Sequence, residues 1–173
     1  ATKNDYKPRD LTRLNLDIGD QGFSHIAVQR QPDTRLHFVR GDGVGAVLTY
    51  DTDDEVEAWW RIETDGEIES VCVLPGDLED AVYFVVKRVI NGSTKRYVER
   101  MARMDECIGA TINKLADSFK AVSQASSTTV TGLSHLEGRT VGMLLDGVPG
   151  DQVAGAAGAA ALKVPTVTTP SAI

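Results

Sequence analysis

Between Leu36 and Met101 the chain alternates short apolar or mixed runs with turn signals. The runs are Leu36–Arg40, Ala46–Tyr50, Val56–Glu63, Ile68–Leu74, Ala81–Ile90 and Lys95–Met101. The breaks are Gly41-Asp42-Gly43, Asp51-Thr52-Asp53-Asp54, Asp65-Gly66, Pro75-Gly76 and Asn91-Gly92. Six runs in about 65 residues, rich in β-branched and aromatic side chains, predict an antiparallel all-β unit. Asn91-Gly92 is the strongest hairpin signal, because both residues tolerate the positive φ of a type I′ turn. In the strand that follows, Lys95, Tyr97 and Glu99 share one face and Thr94, Arg96 and Val98 the other, so it is expected to be half exposed. Val82–Val86 has no polar face and is expected to be buried on both sides.

A weak internal repeat overlies this pattern. Ile26-Ala27-Val28, a turn at Pro32-Asp33 and Leu36–Val39 resemble Val71-Cys72-Val73, Pro75-Gly76-Asp77 and Val82–Val85. The offset is roughly 45 residues, near the ~40–50-residue period of four-stranded propeller blades. On that reading His25–Gln29, Leu36–Arg40, Ala46–Tyr50 and Val56–Glu63 form one blade. Ile68–Leu74, Ala81–Ile90 and Lys95–Met101 supply three strands of the next. One twisted sheet or a sandwich is the alternative arrangement.

The flanks divide the chain into an N-terminal loop or arm (1–24), the blade-like region (25–107) and a small second β region (108–173), sandwich-like in character. Asp10 is a candidate cap for one helical turn through Leu14, and Gly19–Gly22 is a loop. After Met101 the β-branched content falls, with a helical turn expected at Ile112–Ala116. Ser126–Thr131 and Thr140–Leu145 read as strands, and Leu133–Gly138 as a turn between them. Asp146-Gly147 and Pro149-Gly150 read as the turns that close the second strand. Ala154–Ala161 carries little information, and Val164–Thr169 is a candidate last strand.

Charge and chemistry change this picture little. The 173 residues carry a net charge of −7, which argues against a surface built to grip phosphates. An acidic wall past which nucleic acid slides without adhering is compatible with it. No run of about 18 apolar residues occurs, so neither a transmembrane helix nor a membrane partner is expected. No secretory signal opens the chain, and its first residue is Ala1, as expected of a processed chain or a piece of a longer one. Cys72 lies in a buried-looking strand and Cys107 far from it, which predicts free structural thiols and no metal motif.

No catalytic motif emerges. His37 sits between Leu36 and Phe38 in a strand and reads as structural or surface. Ser134-His135 are neighbours, which cannot give nucleophile–base geometry. Asp51, Asp53, Asp54 and Glu55 lack the Gly and Glu of a calcium loop and read as a solvated turn. Gly41–Gly45 is glycine-rich, but no helix follows to face a phosphate. Lys87-Arg88 and Lys95-Arg96 make a local basic spot at one hairpin. Trp59 and Trp60 fall on opposite faces of one strand; one is expected in the core, and both are candidate interface residues. The reading assigns no catalytic residue, metal or cofactor, and expects no enzyme.

Several segments resemble the nozzle protein, or tail tubular protein B, of short-tailed bacteriophages. They are Pro8–Leu14, Val28–Leu36, Trp59–Gly66, Asn91–Met101 and Thr131–Gly138, spread over most of the chain from Pro8 to about Gly147. Asn91–Met101 and Gly132–Gly138 are the most specific. The resemblance implies a non-enzymatic virion component that forms a hexameric ring below the portal and adaptor of the tail. Within that ring DNA passes without specific binding. It also implies a partly propeller-like fold with a small β domain inserted after the second blade. This chain is shorter than a complete nozzle subunit, and Ala154–Ala161 stands where a β-hairpin is expected. A β-type module recognising host polysaccharide or a receptor is the alternative function. A tail-associated glycan hydrolase comes third and would need two carboxylates roughly 5–10 Å apart in a cleft.

Overall fold

The computed structural model describes residues 9–103, 129–145, 148–153 and 160–161. It is an all-β chain. The expected helical turn at Ile112–Ala116, Cys107 and the candidate strand at Val164–Thr169 lie outside the described residues. The chain divides into two units, Ala1–Arg88 with Lys95–Phe119, and Val89–Thr94 with Lys120–Ile173.

The first unit begins with an antiparallel meander. Its strands are β1 (Phe23–Gln29), β2 (Arg35–Arg40), β3 (Gly45–Asp51) and β4 (Val56–Ile62), hydrogen-bonded in that order. A second sheet has the order β5 (Glu67–Leu74), β6 (Ala81–Ile90) and β7 (Ser93–Arg100). The turns follow local chemistry. Asn91 and Gly92 have φ of 47° and 72°, as a type I′ hairpin requires. Gly43 has φ 80°, and an added Cβ would lie 2.8 Å from that of Glu67, so only glycine fits there.

The pleat sorts the first meander into two faces. Ala27, His37, Val47 and Trp60 form one cross-strand row; Val28, Leu36, Leu48 and Trp59 form the next, on the opposite face. The first face meets the second sheet. Val39, Ile68, Val71, Val82, Phe84 and Val86 make the buried core, with Ala27, Ile62, Val73 and Met101 packed against it. Burying each such aliphatic or aromatic side chain stabilises by roughly 1.5–3 kcal/mol.

Two expectations about this core need correction. Val82–Val86 is not buried on both sides: Val82, Phe84 and Val86 are buried, whereas Tyr83 and Val85 are only half-buried. Nor is Cys72 buried. Val71 and Val73 point to the core, and Cys72 between them is an exposed free thiol. In both cases the core lies against one face of the second sheet, and the pleat turns alternate residues away from it.

The internal repeat has a structural counterpart with a phase change. β1–β2 and β5–β6 are both antiparallel hairpins. Ala27 faces His37, ten positions on, whereas Val73 faces Val82, nine positions on. The one-residue difference flips the first strand of each pair: Ala27 faces the core, and Cys72, its counterpart by simple offset, faces away. Two antiparallel meanders are not a closed propeller ring, and blade geometry remains an expectation of the sequence.

Asp80 fastens the two hairpins together. Its buried carboxylate accepts the backbone N–H groups of Arg30 (2.8 Å) and Gln31 (3.1 Å) through Oδ2, and that of Gly76 (3.2 Å) through Oδ1. The N–H of Asp80 in turn donates to the Gln31 carbonyl, 3.2 Å away. The Arg30 N–H bond comes first among the causes that hold this carboxyl below its usual range. Asp80→Ala would free three backbone donors at once. We expect it to lower stability by about 2 kcal/mol in urea unfolding, with Asp80→Asn recovering part of that loss.

The second unit contains β8 (Thr129–Val130), β9 (Thr140–Leu145), β10 (Val148–Val153) and β11 (Ala160–Ala161). β9 and β10 form an antiparallel pair, as do β8 and β11. A 3₁₀ turn at Ser134–Leu136 sits between Gly132 (φ 81°) and Gly138 (φ 79°). Leu133 is buried against Val130, Leu136 and Val141. Pro149-Gly150, read from sequence as a turn, lies inside β10 instead. A two-stranded ladder leaves β10 an outer edge, and proline is tolerated where its missing N–H would face outward.

Candidate functional site

Trp59 is anchored by both a hydrogen bond and ring contacts. Its indole N–H donates to the Leu11 carbonyl at 2.8 Å, and its ring lies 5.4 Å from Phe38 and 6.2 Å from Phe23. The N-terminal arm comes within reach because residues 11–14 form a turn that Asp10 caps, its Oδ1 accepting the Thr12 N–H at 2.9 Å. Ion pairs fasten the arm further, from Arg9 to Glu57 and from Arg61 to Asp17. The buried Arg40 guanidinium donates to the Asp17 carbonyl and to both carboxylate oxygens of Asp42. Its hydrogen bond is the main reason the Asp42 carboxyl titrates below the usual range. Trp60 lies on the opposite face, in the row of His37 and Val47. Neither tryptophan is fully exposed or fully buried.

His37 is structural. It is fully buried, with Nε2 2.9 Å from Gln29 Oε1 and its ring edge-on to Phe84. Gln29 spends its amide N–H on the Gln31 carbonyl at 2.9 Å, which identifies its Oε1 as the acceptor. The imidazole must therefore carry its proton on Nε2, and the bare, buried Nδ1 has no partner. Burial first, and the Arg35 charge second, push the pKa of His37 down to about 4. His25 is exposed on β1, and His135 follows Ser134 in the 3₁₀ turn.

The acidic turn is closed by its own backbone: Asp51 Oδ1 accepts the N–H groups of Asp53 and Asp54. Among the described residues no group of three or more His, Cys, Asp or Glu is arranged to hold a metal ion. The basic spot at the β6–β7 hairpin needs correction. Lys87 pairs with Glu67 at 2.6 Å, and Arg96 pairs with Glu69 through two hydrogen bonds of 2.7 and 3.0 Å. Arg88 is buried, with both Glu99 carboxylate oxygens, the Asp65 carbonyl and Thr64 Oγ1 as acceptors. Sequence spacing showed the cations, but only the sheets bring the carboxylates to them.

What remains is surface. Ile26 (57% exposed) and Val28 (47%) stand on β1, an outer strand of the four-stranded sheet. β4 is the other outer strand. Comparison with known protein families and with curated proteins found no match to this chain.

Proposed function

We propose that this chain is a structural β-protein that acts by assembly, as a subunit of the ring-shaped DNA conduit in the tail of a short-tailed phage. The resemblance of Asn91–Met101 and Gly132–Gly138 to the nozzle proteins supports the reading, and both are turn-defining segments of the fold. The observation that carries it is electrostatic. Lys87, Arg88 and Arg96 of the β6–β7 hairpin are held by carboxylates of the same unit, on a chain of net charge −7. Paired cations of this kind do not reach out to phosphates, which suits a wall past which a genome slides.

Native mass spectrometry and a duplex-DNA mobility shift at physiological salt test this together. The expected result is a cyclic multimer, six copies by the family resemblance, with no retained DNA. A chain that stays monomeric at tens of micromolar, or that binds duplex tightly, would overturn the reading. Specific signals on a glycan array would replace it with the binding-module alternative.

A further inference from the structure

We propose that the edge strands β1 and β4 form a self-interface, with β1 of one copy pairing antiparallel with β4 of the next. The four-stranded sheet would then continue from subunit to subunit. This rests on the assembly reading above and names the surface that would carry it.

The first argument is chemical. An outer strand is usually protected by charge, proline, a bulge or shortness. Phe23-Ser24-His25-Ile26-Ala27-Val28-Gln29 contains no Asp, Glu, Lys, Arg or Pro, and its irregularity is confined to its start, between Phe23 and His25. Yet Ile26 and Val28 are exposed on it. Of the outer strands of the second sheet, β7 differs most, with four charged residues, Lys95, Arg96, Glu99 and Arg100, and Lys95 exposed among them; the two on β5, Glu67 and Glu69, are paired with Lys87 and Arg96. β4 does carry Glu57 and Arg61, but both are neutralised by the arm, through Arg9 and Asp17. β1 and β4 can therefore approach without an unpaired charge at the joint.

The second argument is geometric. β1 and β4 are both seven residues long. Full antiparallel overlap sets Ile26 beside Trp59 and Val28 beside Glu57 on one face, and Ala27 beside Ala58 on the core-facing side. The two faces of the sheet thus stay continuous across the joint; a slip of one residue would exchange them.

The third argument is symmetry. In a four-stranded meander β1 and β4 run in opposite directions. An antiparallel β4–β1 joint therefore repeats every subunit in the same orientation. That is a head-to-tail contact, able to close a ring, whereas β1 pairing with β1 would stop at a two-fold dimer. The net charge of −7 opposes contact between copies at long range, and salt screens that repulsion while leaving backbone pairing intact. Association should tighten as salt rises.

The test compares the wild type with Ile26→Lys by sedimentation equilibrium at 0.1–0.5 M salt, with circular dichroism as the check on folding. Ile26 is exposed, so the lysine is compatible with the fold; we expect self-association to weaken at least tenfold. In a Cys72→Ser/Cys107→Ser background, oxidation of the double variant Val28→Cys/Glu57→Cys should give a ladder of covalent multimers. Each single-cysteine variant should give none. Dimers from Val28→Cys alone would replace the head-to-tail joint with a two-fold one and overturn the proposal. A wild-type multimer indifferent to Ile26→Lys, with no ladder, overturns the edge pairing and leaves the assembly reading standing. A wild type monomeric throughout the salt range removes both.

Discussion

Replacing Glu99 with alanine is expected to destabilise the protein by about 3 kcal/mol, a large share of a typical domain's stability. Arg88 is the reason. Its guanidinium is buried, and Glu99 supplies the opposite charge through bonds of 2.7 and 2.8 Å. The Asp65 carbonyl and Thr64 Oγ1 take two of its other N–H groups but bring no charge. Without Glu99 the buried cation loses the carboxylate that binds it through both oxygens, and removing one member of a buried pair costs more than the pair itself contributes. Glu99 keeps some solvent access, which holds the expected loss at the lower end of the range for buried pairs. A double variant, Arg88→Met with Glu99→Leu, should recover most of the loss, because it removes the charge along with its partner. Urea unfolding of the single and double variants measures the difference. A Glu99→Ala protein within 0.5 kcal/mol of wild type would contradict this account of Arg88.

The second large effect is expected on acidification. His37 is neutral in the fold, its pKa pushed from 6.5 to about 4. The unfolded chain takes up the proton near its ordinary pKa, and the folded chain does so only near 4. As pH falls through that window the unfolded state binds more protons, so stability is full above about pH 6.5 and is lost progressively toward pH 4. The complete loss is about 3 kcal/mol. Asp42 and Asp80 titrate in a different range. Hydrogen bonds hold their carboxyls low, so their contributions fade only as pH drops below about 4. Thermal melts between pH 7.5 and 4.5 should therefore show a slope that His37→Gln abolishes. A wild-type melting temperature constant over that range would refute the assignment.

The strands of the first unit were legible in the sequence because each signal is local. Ala81–Ile90 was delimited to the residue, and the remaining six were placed within one or two positions. Asn91-Gly92 fixed its turn through backbone freedom alone. The signals failed where the relevant neighbour is distant in the chain. No local signal marks Asp80, yet it binds the backbone at Arg30 and Gln31. Arg88 and Arg96 looked like a basic spot, yet Glu99 and Glu69 neutralise them. Val148–Val153 became a strand because β9 pairs with it, against the turn propensity of Pro149-Gly150.

By itself, then, the order of residues determined an antiparallel all-β chain and the positions of the hairpins of the first unit, since pleat and turn chemistry act over two to four residues. The tertiary structure decided which face of each strand is inside, which charges are spent on one another and which strands end a sheet. Those outcomes depend on packing and electrostatics between segments tens of residues apart. They are also what places β1, a strand without Asp, Glu, Lys, Arg or Pro, at the outer edge of the four-stranded sheet among the described residues.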